Sequence, residues 1–151
     1  MILEIVEYPN EILITPAETV SLAELHSSSF QTLIEDMMDT CVAEDGLGLA
    51  ANQVGVNRRI FICRRPLTRQ FDIFINPVIT QRKGRVTNHG EGCLSLPGRF
   101  YDVKRFKSVV VECLNRDGEA GAVRSRTKRQ AFCFQHEVDH LNGLTLEETS
   151  K

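Results

Sequence analysis

The chain has 151 residues, which is long enough to bury a hydrophobic core and within the size range of a single domain. Its formal net charge of −2 gives no reason to expect binding to nucleic acid or to an anionic membrane surface. The five cysteines are odd in number and widely spaced, and no apolar run reaches the roughly 20 residues of a membrane span. The N-terminus also lacks the basic start of a signal peptide. We therefore expect one domain over residues 1–151, located in the cytoplasm and without a membrane partner.

The first predicted element is an amphipathic helix over Phe30–Cys41, whose apolar residues recur three or four positions apart. Short β-branched or alternating segments bounded by turn residues then predict five strands: Arg59–Cys63, Phe71–Ile75, Val78–Gln81, Ser108–Leu114 and Ala120–Arg124. A second helix is expected over Lys128–Asn142, with Gly143 where a glycine commonly ends a helix. The pattern predicts an α+β fold in which short, mostly antiparallel strands pack around this C-terminal helix, with one additional N-terminal helix.

The second helix contains the pattern HExxH at residues 136–140. Positions i and i+4 of a helix lie on one face, so His136 and His140 can both point a ring nitrogen at one metal ion. Glu137 is turned about 100° around the helix and can reach a water molecule at that metal. A five-residue pattern with three fixed positions also arises by chance on surface helices, so the motif needs a third ligand to support a metal site.

Two cysteines compete for the position of third ligand. Cys93 lies in a glycine-flanked segment that can bring its backbone close to another element. Cys133 shares a helical face with His136, but it lies about 4.5 Å further along the axis from a metal held between the two histidines. We therefore predict Cys93 as the ligand and Cys133 as part of a pocket floor. His89 is close to Cys93 in sequence, but we interpret it as a surface loop histidine rather than a metal ligand.

The segment from Gly46 to Gln53 contains two glycines around a leucine, followed by Ala-Ala-Asn-Gln. It lacks the Lys-Ser/Thr ending of a phosphate-binding loop and the glycine spacing of a dinucleotide fingerprint. The glycines can let the backbone approach a ligand, and the amide of Gln53 can donate to a developing oxyanion. A simple turn after the first helix explains the same glycines equally well.

Together these segments resemble the three signature motifs of the peptide deformylase family. Gly46 to Gln53 is similar to G-x-G-x-A-A-x-Q, Glu91 to Pro97 to E-G-C-L-S-x-P, and Gln135 to His140 to Q-H-E-x-D-H. All three occur in the order found in that family. The resemblance implies metal-dependent removal of the N-formyl group from formyl-methionyl peptides.

The resemblance also implies roles for individual residues. Cys93, His136 and His140 would bind one divalent metal ion, with Fe²⁺ expected and Zn²⁺ or Ni²⁺ possible. Glu137 would act as general base and then as general acid. The side chain of Gln53 and the backbone N–H of Leu94 would hold the formyl oxygen.

The substrate contacts implied by the resemblance lie around the same motifs. The backbone of Leu47, Gly48 and Gly92 would hold the peptide as an added strand. The methionine side chain would lie among four residues: Leu47, Phe132, Cys133 and His136.

Two features depart from the family pattern. The chain stops soon after Gly143, which resembles a short form such as those of some bacterial viruses, and ribosome association that needs a further C-terminal helix is then doubtful. A basic run from Arg124 to Arg129 precedes the HExxH helix, and Arg129 could line the pocket mouth and favour acidic substrates or contact ribosomal RNA. We also expect Asp139, which faces away from the metal, to pair with Arg105.

Two alternatives remain at this point. The chain could be a related metallohydrolase that acts on another small amide or peptide, or a non-catalytic metal-binding protein. The second alternative is disfavoured because Glu137 and Gln53 supply a base and an oxyanion donor that metal binding alone does not need. The oligomeric state is left open.

Overall fold

A computed structural model describes residues 1–151 as a five-stranded antiparallel sheet with helices on both faces. The strands follow one another in chain order across the sheet: β1 (Gly48–Ala50), β2 (Ile60–Arg64), β3 (Phe71–Cys93), β4 (Leu96–Leu114) and β5 (Ala120–Arg124). The helices are α1 (Leu22–Leu25), α2 (Ser28–Ala43), α3 (Lys128–Leu141) and α4 (Leu146–Thr149), and 3₁₀ turns cover Glu11–Ile14 and Ala51–Val54. No helix combines the length and the apolar character needed to cross a membrane. The expected α+β class is confirmed.

The strands β3 and β4 are much longer than the sequence predicted, at 23 and 19 residues. The predicted strands Phe71–Ile75 and Val78–Gln81 are parts of one strand, joined through a bulge at Asn76 and Pro77. The bulge accommodates Pro77, which has no N–H to donate to a ladder. Asn76 adopts a positive φ of 51° there and exchanges two side-chain hydrogen bonds with the backbone of Val20.

Strand β2 lies between α2 and α3 and is buried on both faces. Ile60 and Ile62 pack in the cluster that contains α2, whereas Phe61 and Cys63 pack in the cluster that contains α3. Side chains alternate between the two faces of a strand, so coverage of both faces requires an uninterrupted apolar run. The predicted strand Arg59–Cys63 is therefore found almost unchanged as Ile60–Arg64.

Helix α3 carries the HExxH motif and packs on the sheet through its apolar face. Its N-terminus is capped by Thr127, whose hydroxyl accepts from the N–H of Gln130. Phe134 packs against the stacked rings of Phe61 and Phe74. Gly143 ends the helix with φ of +77°, and a Cβ there would come within 3.0 Å of backbone atoms of residues 14–16. These contacts fix the position of α3 relative to the sheet and to the N-terminal segment.

Candidate active site

Three metal-binding side chains from two separate elements converge at one point. The Sγ of Cys93, at the end of β3, lies 3.3 Å from Nε2 of His140, and that nitrogen lies 3.1 Å from Nε2 of His136. The three ligand atoms all lie within 4.8 Å of one another. Cys133 is not part of this group, so the structure brings together the three ligands that the sequence suggested.

The spacing of these atoms fits a small divalent ion. Metal–nitrogen bonds of about 2.0–2.1 Å and metal–sulfur bonds of about 2.3 Å in a tetrahedral shell separate the ligand atoms by about 3.3–3.6 Å. Two of the three separations here, 3.1 Å and 3.3 Å, lie close to that range. Two imidazoles and a thiolate leave a fourth position open, as catalytic sites require. The residues present therefore fit a resident metal ion.

His136 is oriented by a buried carboxylate. Its Nδ1 lies 2.7 Å from Glu91, which leaves Nε2 free to face the cluster. Burial alone would lower the pKa of His136, but the contacts with Cys93 and Glu91 raise it well above its usual value. The surroundings of this imidazole therefore favour a positive charge, and a divalent cation can supply that charge.

Glu91 belongs to a network of buried charges that joins β3, β4 and α3. Arg105 donates from Nη2 to Glu91 at 2.5 Å and from Nη1 to Asp139 at 2.5 Å. The predicted pairing of Asp139 with Arg105 is confirmed. Only 4% of the Arg105 side chain is exposed, so the pair is screened little by solvent.

His140 is held from a different direction. The side-chain amide of Asn52 donates to the backbone carbonyl of His140 at 2.6 Å, which ties α3 to the 3₁₀ turn after β1. The Nδ1 of His140 is buried without a hydrogen-bond partner. Burial, and then the charge of His136, lower the pKa of His140 well below its usual value. A neutral imidazole, the form that binds metals, is therefore favoured at this position.

Glu137 lies beside the cluster with 2% of its side chain exposed. Its Oε1 is 3.9 Å from Nε2 of His136, and its Oε2 has no hydrogen-bond partner in the chain. Burial raises the pKa of Glu137 from 4.5 to about 7. A carboxyl group with a pKa near neutrality can both take up and return a proton at physiological pH.

Gln53, in the 3₁₀ turn that follows β1, lies beside Cys93 of the cluster. Its Oε1 accepts from the N–H of Ala50 at 3.0 Å, so its amide nitrogen points towards Ser95 Oγ, at 3.2 Å, and Cys93 Sγ, at 3.6 Å. The backbone N–H of Leu94, in the turn between β3 and β4, donates to no atom of the chain. Two donor groups, the Gln53 amide and the unused N–H of Leu94, thus lie next to Cys93.

Six of the residues described above border one open cleft of about 1120 Å³: Gln53, Glu91, Cys93, Leu94, His136 and Glu137. The cleft runs between the edge of β1, the turn from β3 to β4, and the N-terminal half of α3. The predicted substrate residues all line it: Leu47, Gly48, Gly92, Phe132, Cys133 and Arg129. The Sγ of Cys133 lies 2.8 Å from Sγ of Cys63 beneath the cleft.

Four residues near the cluster had no role assigned from the sequence: Glu91, Asn52, Ser95 and, as a partner of Glu91, Arg105. Glu91 could have been found, because a metal-bound histidine usually donates its second nitrogen to a carboxylate, and Glu91 is two residues from Cys93. Arg105 and Asn52 carry no local signal of this kind, since their partners are 14 or more positions away.

Comparisons with known proteins agree with this site. The model of the polypeptide deformylase family matches residues 2–151. A peptide deformylase from Xylella fastidiosa is 43% identical over 143 residues, which are 94% of this chain and 83% of that protein. The crystal structure of a peptide deformylase from Legionella pneumophila has a TM-score of 0.92 at 34% identity and covers 100% of this chain and 87% of its own.

A class I type b peptide deformylase from Acinetobacter baumannii, bound to Met-Ala-Ser, has a TM-score of 0.91 at 32% identity and covers 99% of this chain and 98% of its own. The matched regions contain the converging cysteine and histidines and the cleft around them. The chain therefore belongs to the peptide deformylase family, enzymes that remove the N-formyl group from nascent peptides.

Proposed function

We propose that this chain hydrolyses the formyl group of N-formylmethionyl peptides with one divalent metal ion held by Cys93, His136 and His140. The observation that carries the proposal is the convergence of these three side chains beside a buried carboxyl group, Glu137, at the wall of an open cleft. The Met-Ala-Ser peptide bound to the A. baumannii relative supports a methionyl peptide as the product that leaves this cleft.

The expected metal ion is Fe²⁺, with Zn²⁺ or Ni²⁺ as replacements. Two neutral imidazoles and one thiolate leave the site with a net charge of +1 when it holds a divalent ion. Such an ion would polarise the formyl carbonyl and lower the pKa of a water molecule in the open position.

Glu137 moves the proton in both halves of the reaction. Its carboxylate accepts a proton as water attacks the formyl carbon, and it then returns that proton to the amino group that leaves. Its burial supports this role, because a pKa of about 7 lies between those of an ordinary carboxylic acid and an ordinary amine. The free Oε2 is the atom that can carry the proton.

Gln53 and Leu94 stabilise the negative charge that develops on the formyl oxygen. The amide of Gln53 is fixed through its own oxygen, so its N–H groups need little reorganisation when the charge appears. The N–H of Leu94 is unused within the chain and borders the same cleft. Both donors lie next to Cys93 and therefore next to the reacting carbonyl.

The peptide binds as an additional strand beside β1. This strand pairs only with β2, so its second edge is open towards the cleft and offers backbone groups of Leu47 and Gly48. Gly92 offers backbone groups from the other side. The methionine side chain lies between Phe132 and Cys133, which give the cleft an apolar, polarisable wall.

Arg129 lies at the mouth of the cleft, two helical turns from His136, and forms no ion pair within the chain. Its guanidinium group favours acidic side chains or carboxylates in the part of the substrate that follows methionine. A peptide with Asp or Glu after methionine should therefore bind more tightly than the same peptide with Lys, and Arg129→Leu should remove the difference.

Formate release from formyl-Met-Ala-Ser tests the function. The protein is purified without oxygen and loaded with Fe²⁺, and Glu137→Gln should lower kcat by about 10²–10⁴-fold while the metal content stays unchanged. A wild-type protein that holds metal but releases no formate would refute the proposal.

The ligand assignment has its own test. Cys93→Ala should abolish metal binding measured by elemental analysis. Cys133→Ala should retain the metal and raise KM. The opposite result would exchange the roles of these two cysteines.

A further inference from the structure

Two cysteines that do not belong to the metal cluster lie in contact beneath the cleft. The Sγ atoms of Cys63, in β2, and Cys133, in α3, are 2.8 Å apart. A disulfide bond is about 2.05 Å long, so the two sulfur atoms need to approach each other by only about 0.8 Å. Small rotations of the two side chains cover this distance. The reduced pair is therefore close to the arrangement of a disulfide.

The close approach of the two sulfur atoms depends on Gly48. This glycine lies opposite Cys63 in the ladder between β1 and β2, so both positions face the same side of the sheet. A Cβ at Gly48 would lie 2.6 Å from the Sγ of Cys133. The sulfur of Cys133 therefore occupies the space that a side chain at Gly48 would fill, directly beside Cys63.

The other three cysteines have different surroundings. Cys41 donates to a backbone carbonyl at 3.3 Å, Cys93 faces the two histidines, and Cys113 lies in β4. Among the four remaining thiols, only that of Cys63 forms a hydrogen bond with Cys133. A bond formed by the sulfur of Cys133 within the chain should therefore involve Cys63.

The two thiols of the pair differ in their access to the cleft. Cys133 lines the cleft and is 8% exposed, whereas no part of Cys63 is exposed. A small oxidant such as hydrogen peroxide therefore reaches Cys133 first. A reactive cysteine that is oxidised reversibly is often placed next to a second thiol that captures the oxidised sulfur. The arrangement of an accessible and a shielded thiol matches this chemistry.

The oxidation state of Cys133 matters because of its neighbour Glu137. The two residues are four positions apart on α3, and a Cβ at Gly48 would touch both, at 2.6 Å from Sγ of Cys133 and 3.3 Å from Cγ of Glu137. Oxidation of Cys133 to a sulfinic acid would add a negative charge beside this carboxyl group, and that modification is generally irreversible. A disulfide adds no charge, and thiols can reduce it.

We propose that Cys133 and Cys63 form a reversible oxidation site, in which Cys63 captures the oxidised sulfur of Cys133 as a disulfide. The sulfur of Cys133 attacks hydrogen peroxide, the O–O bond breaks, and a sulfenic acid forms while one water molecule leaves. The sulfur of Cys63 then attacks that of Cys133, the S–O bond breaks, and a second water molecule leaves. The two thiols lose two electrons and two protons, which reduce the peroxide to water. A dithiol reductant restores both thiols and is itself oxidised to a disulfide.

The disulfide also couples oxidation to substrate binding, and this part of the inference rests on the proposed function. Formation of the bond draws the sulfur of Cys133 towards Cys63 and away from the methionine side chain of the substrate. One lost contact in an apolar pocket lowers kcat/KM by about tenfold. The oxidised protein should show this loss with formyl-Met-Ala-Ser, and a dithiol should reverse it.

The first test maps the bond in the Zn²⁺-loaded protein, because zinc has no redox chemistry of its own. The hydrogen bond with Cys63, together with burial, raises the pKa of Cys133 well above its ordinary value, so exposure to peroxide must be prolonged. After catalase removes the peroxide, mass spectrometry without reductant should find the peptide that contains Cys63 joined to the peptide that contains Cys133. Titration of the unfolded, metal-free protein should find two thiols fewer than the five of the reduced chain.

The second test compares Cys63→Ala with Cys113→Ala, which also removes one thiol but leaves the pair intact. Before oxidation, both variants should release formate at the wild-type rate, and thermal unfolding checks that each is folded. After oxidation, a dithiol should restore formate release by the wild type and by Cys113→Ala. It should not restore release by Cys63→Ala, in which the peptide containing Cys133 should gain two oxygen atoms.

Three results would overturn the proposal: no joined peptide in the oxidised wild type, a bond from Cys133 to another cysteine, or equal recovery of the wild type and Cys63→Ala. A joined peptide with unchanged formate release would refute the coupling to substrate binding. If the reduced wild type releases no formate, the proposed function fails, whereas the peptide map still decides whether the oxidation site exists.

Discussion

The two sides of the cleft are held in place by different kinds of interaction. On the neutral side, the segment from β1 to the following 3₁₀ turn positions Gly48, Asn52 and Gln53 through close backbone contacts and amide hydrogen bonds. On the charged side, Glu91 and Arg105 orient His136 through buried ionic contacts. Close packing and neutral hydrogen bonds fix the side-chain positions on the neutral side, and buried charges fix them on the charged side.

This difference predicts different responses to mutation and to pH. A neutral hydrogen bond contributes about 0.5–1.5 kcal/mol and does not titrate. A buried ion pair adds little net stability when it is intact, but removing one partner leaves an uncompensated charge in the interior. Mutations on the charged side should therefore lower the free energy of unfolding more than mutations on the neutral side. The contribution of the charged side to stability should also depend on pH.

The largest effect is expected for Arg105→Met. This change leaves Glu91 and Asp139 without their cation while the methionine fills a similar volume. The free energy of unfolding in urea at pH 7 should fall by about 3–5 kcal/mol.

The matched control is Arg58→Met. Arg58 also pairs with two carboxylates, but 34% of its side chain is exposed, compared with 4% for Arg105. Its loss should cost about 0–1 kcal/mol. Similar losses for the two variants would show that burial of the charged network has no special energetic importance.

On the neutral side, Gly48→Ala should have the largest effect. A Cβ at this position would lie 2.6 Å from Sγ of Cys133, 3.0 Å from the carbonyl oxygen of Ile62 and 3.3 Å from Cγ of Glu137. The carbonyl is part of β2 and cannot move aside, so stability should fall by about 1–3 kcal/mol. Displacement of Glu137 should lower kcat/KM for formate release by about 10–100-fold.

Gly121→Ala is the control for this change, because a Cβ at Gly121, in β5, would meet no atom within 4 Å. Its stability and activity should match those of the wild type. Adding Cys133→Ala to Gly48→Ala should recover part of the loss. No recovery would assign the whole clash to the carbonyl of Ile62.

The sequence predicted those parts of the fold in which buried apolar residues recur at regular intervals. Strand β2 and helices α2 and α3 were found because their apolar periodicity matches the faces they bury. Most of β3 and β4 between residues 82 and 107 was missed. Those residues are mainly polar and exposed, and they are held in the sheet by backbone pairing rather than by an apolar pattern.

The site shows the same division. His136, His140 and Cys93 were identified because the spacing of HExxH and a glycine-flanked cysteine carry chemical meaning within a few residues. The positions of Asn52 and Arg105 depend on contacts between distant parts of the chain, and no local pattern encodes them. The neutral and charged sides therefore become visible only in three dimensions.

The smallest predicted effect is a dependence of stability on pH. It distinguishes the two sides most directly, because only the charged side should show it. Burial opposes ionisation of Glu91, but hydrogen bonds from His136 and Arg105 outweigh it and lower its pKa from 4.5 to about 2. The folded state therefore keeps Glu91 ionised at pH values where the unfolded chain binds a proton. The resulting stabilisation is present above pH 4.5 and is lost as the pH falls towards 2.

Between about pH 5 and pH 3.5, the wild type should therefore lose about 1 kcal/mol more stability than Glu91→Gln. Urea unfolding of the metal-free proteins measures this difference without a contribution from metal release. Asn52→Ala, which removes the neutral hydrogen bond to His140, should lower stability equally at both pH values. If Glu91→Gln lost as much stability in acid as the wild type, the charge on Glu91 would not be what holds that side of the cleft.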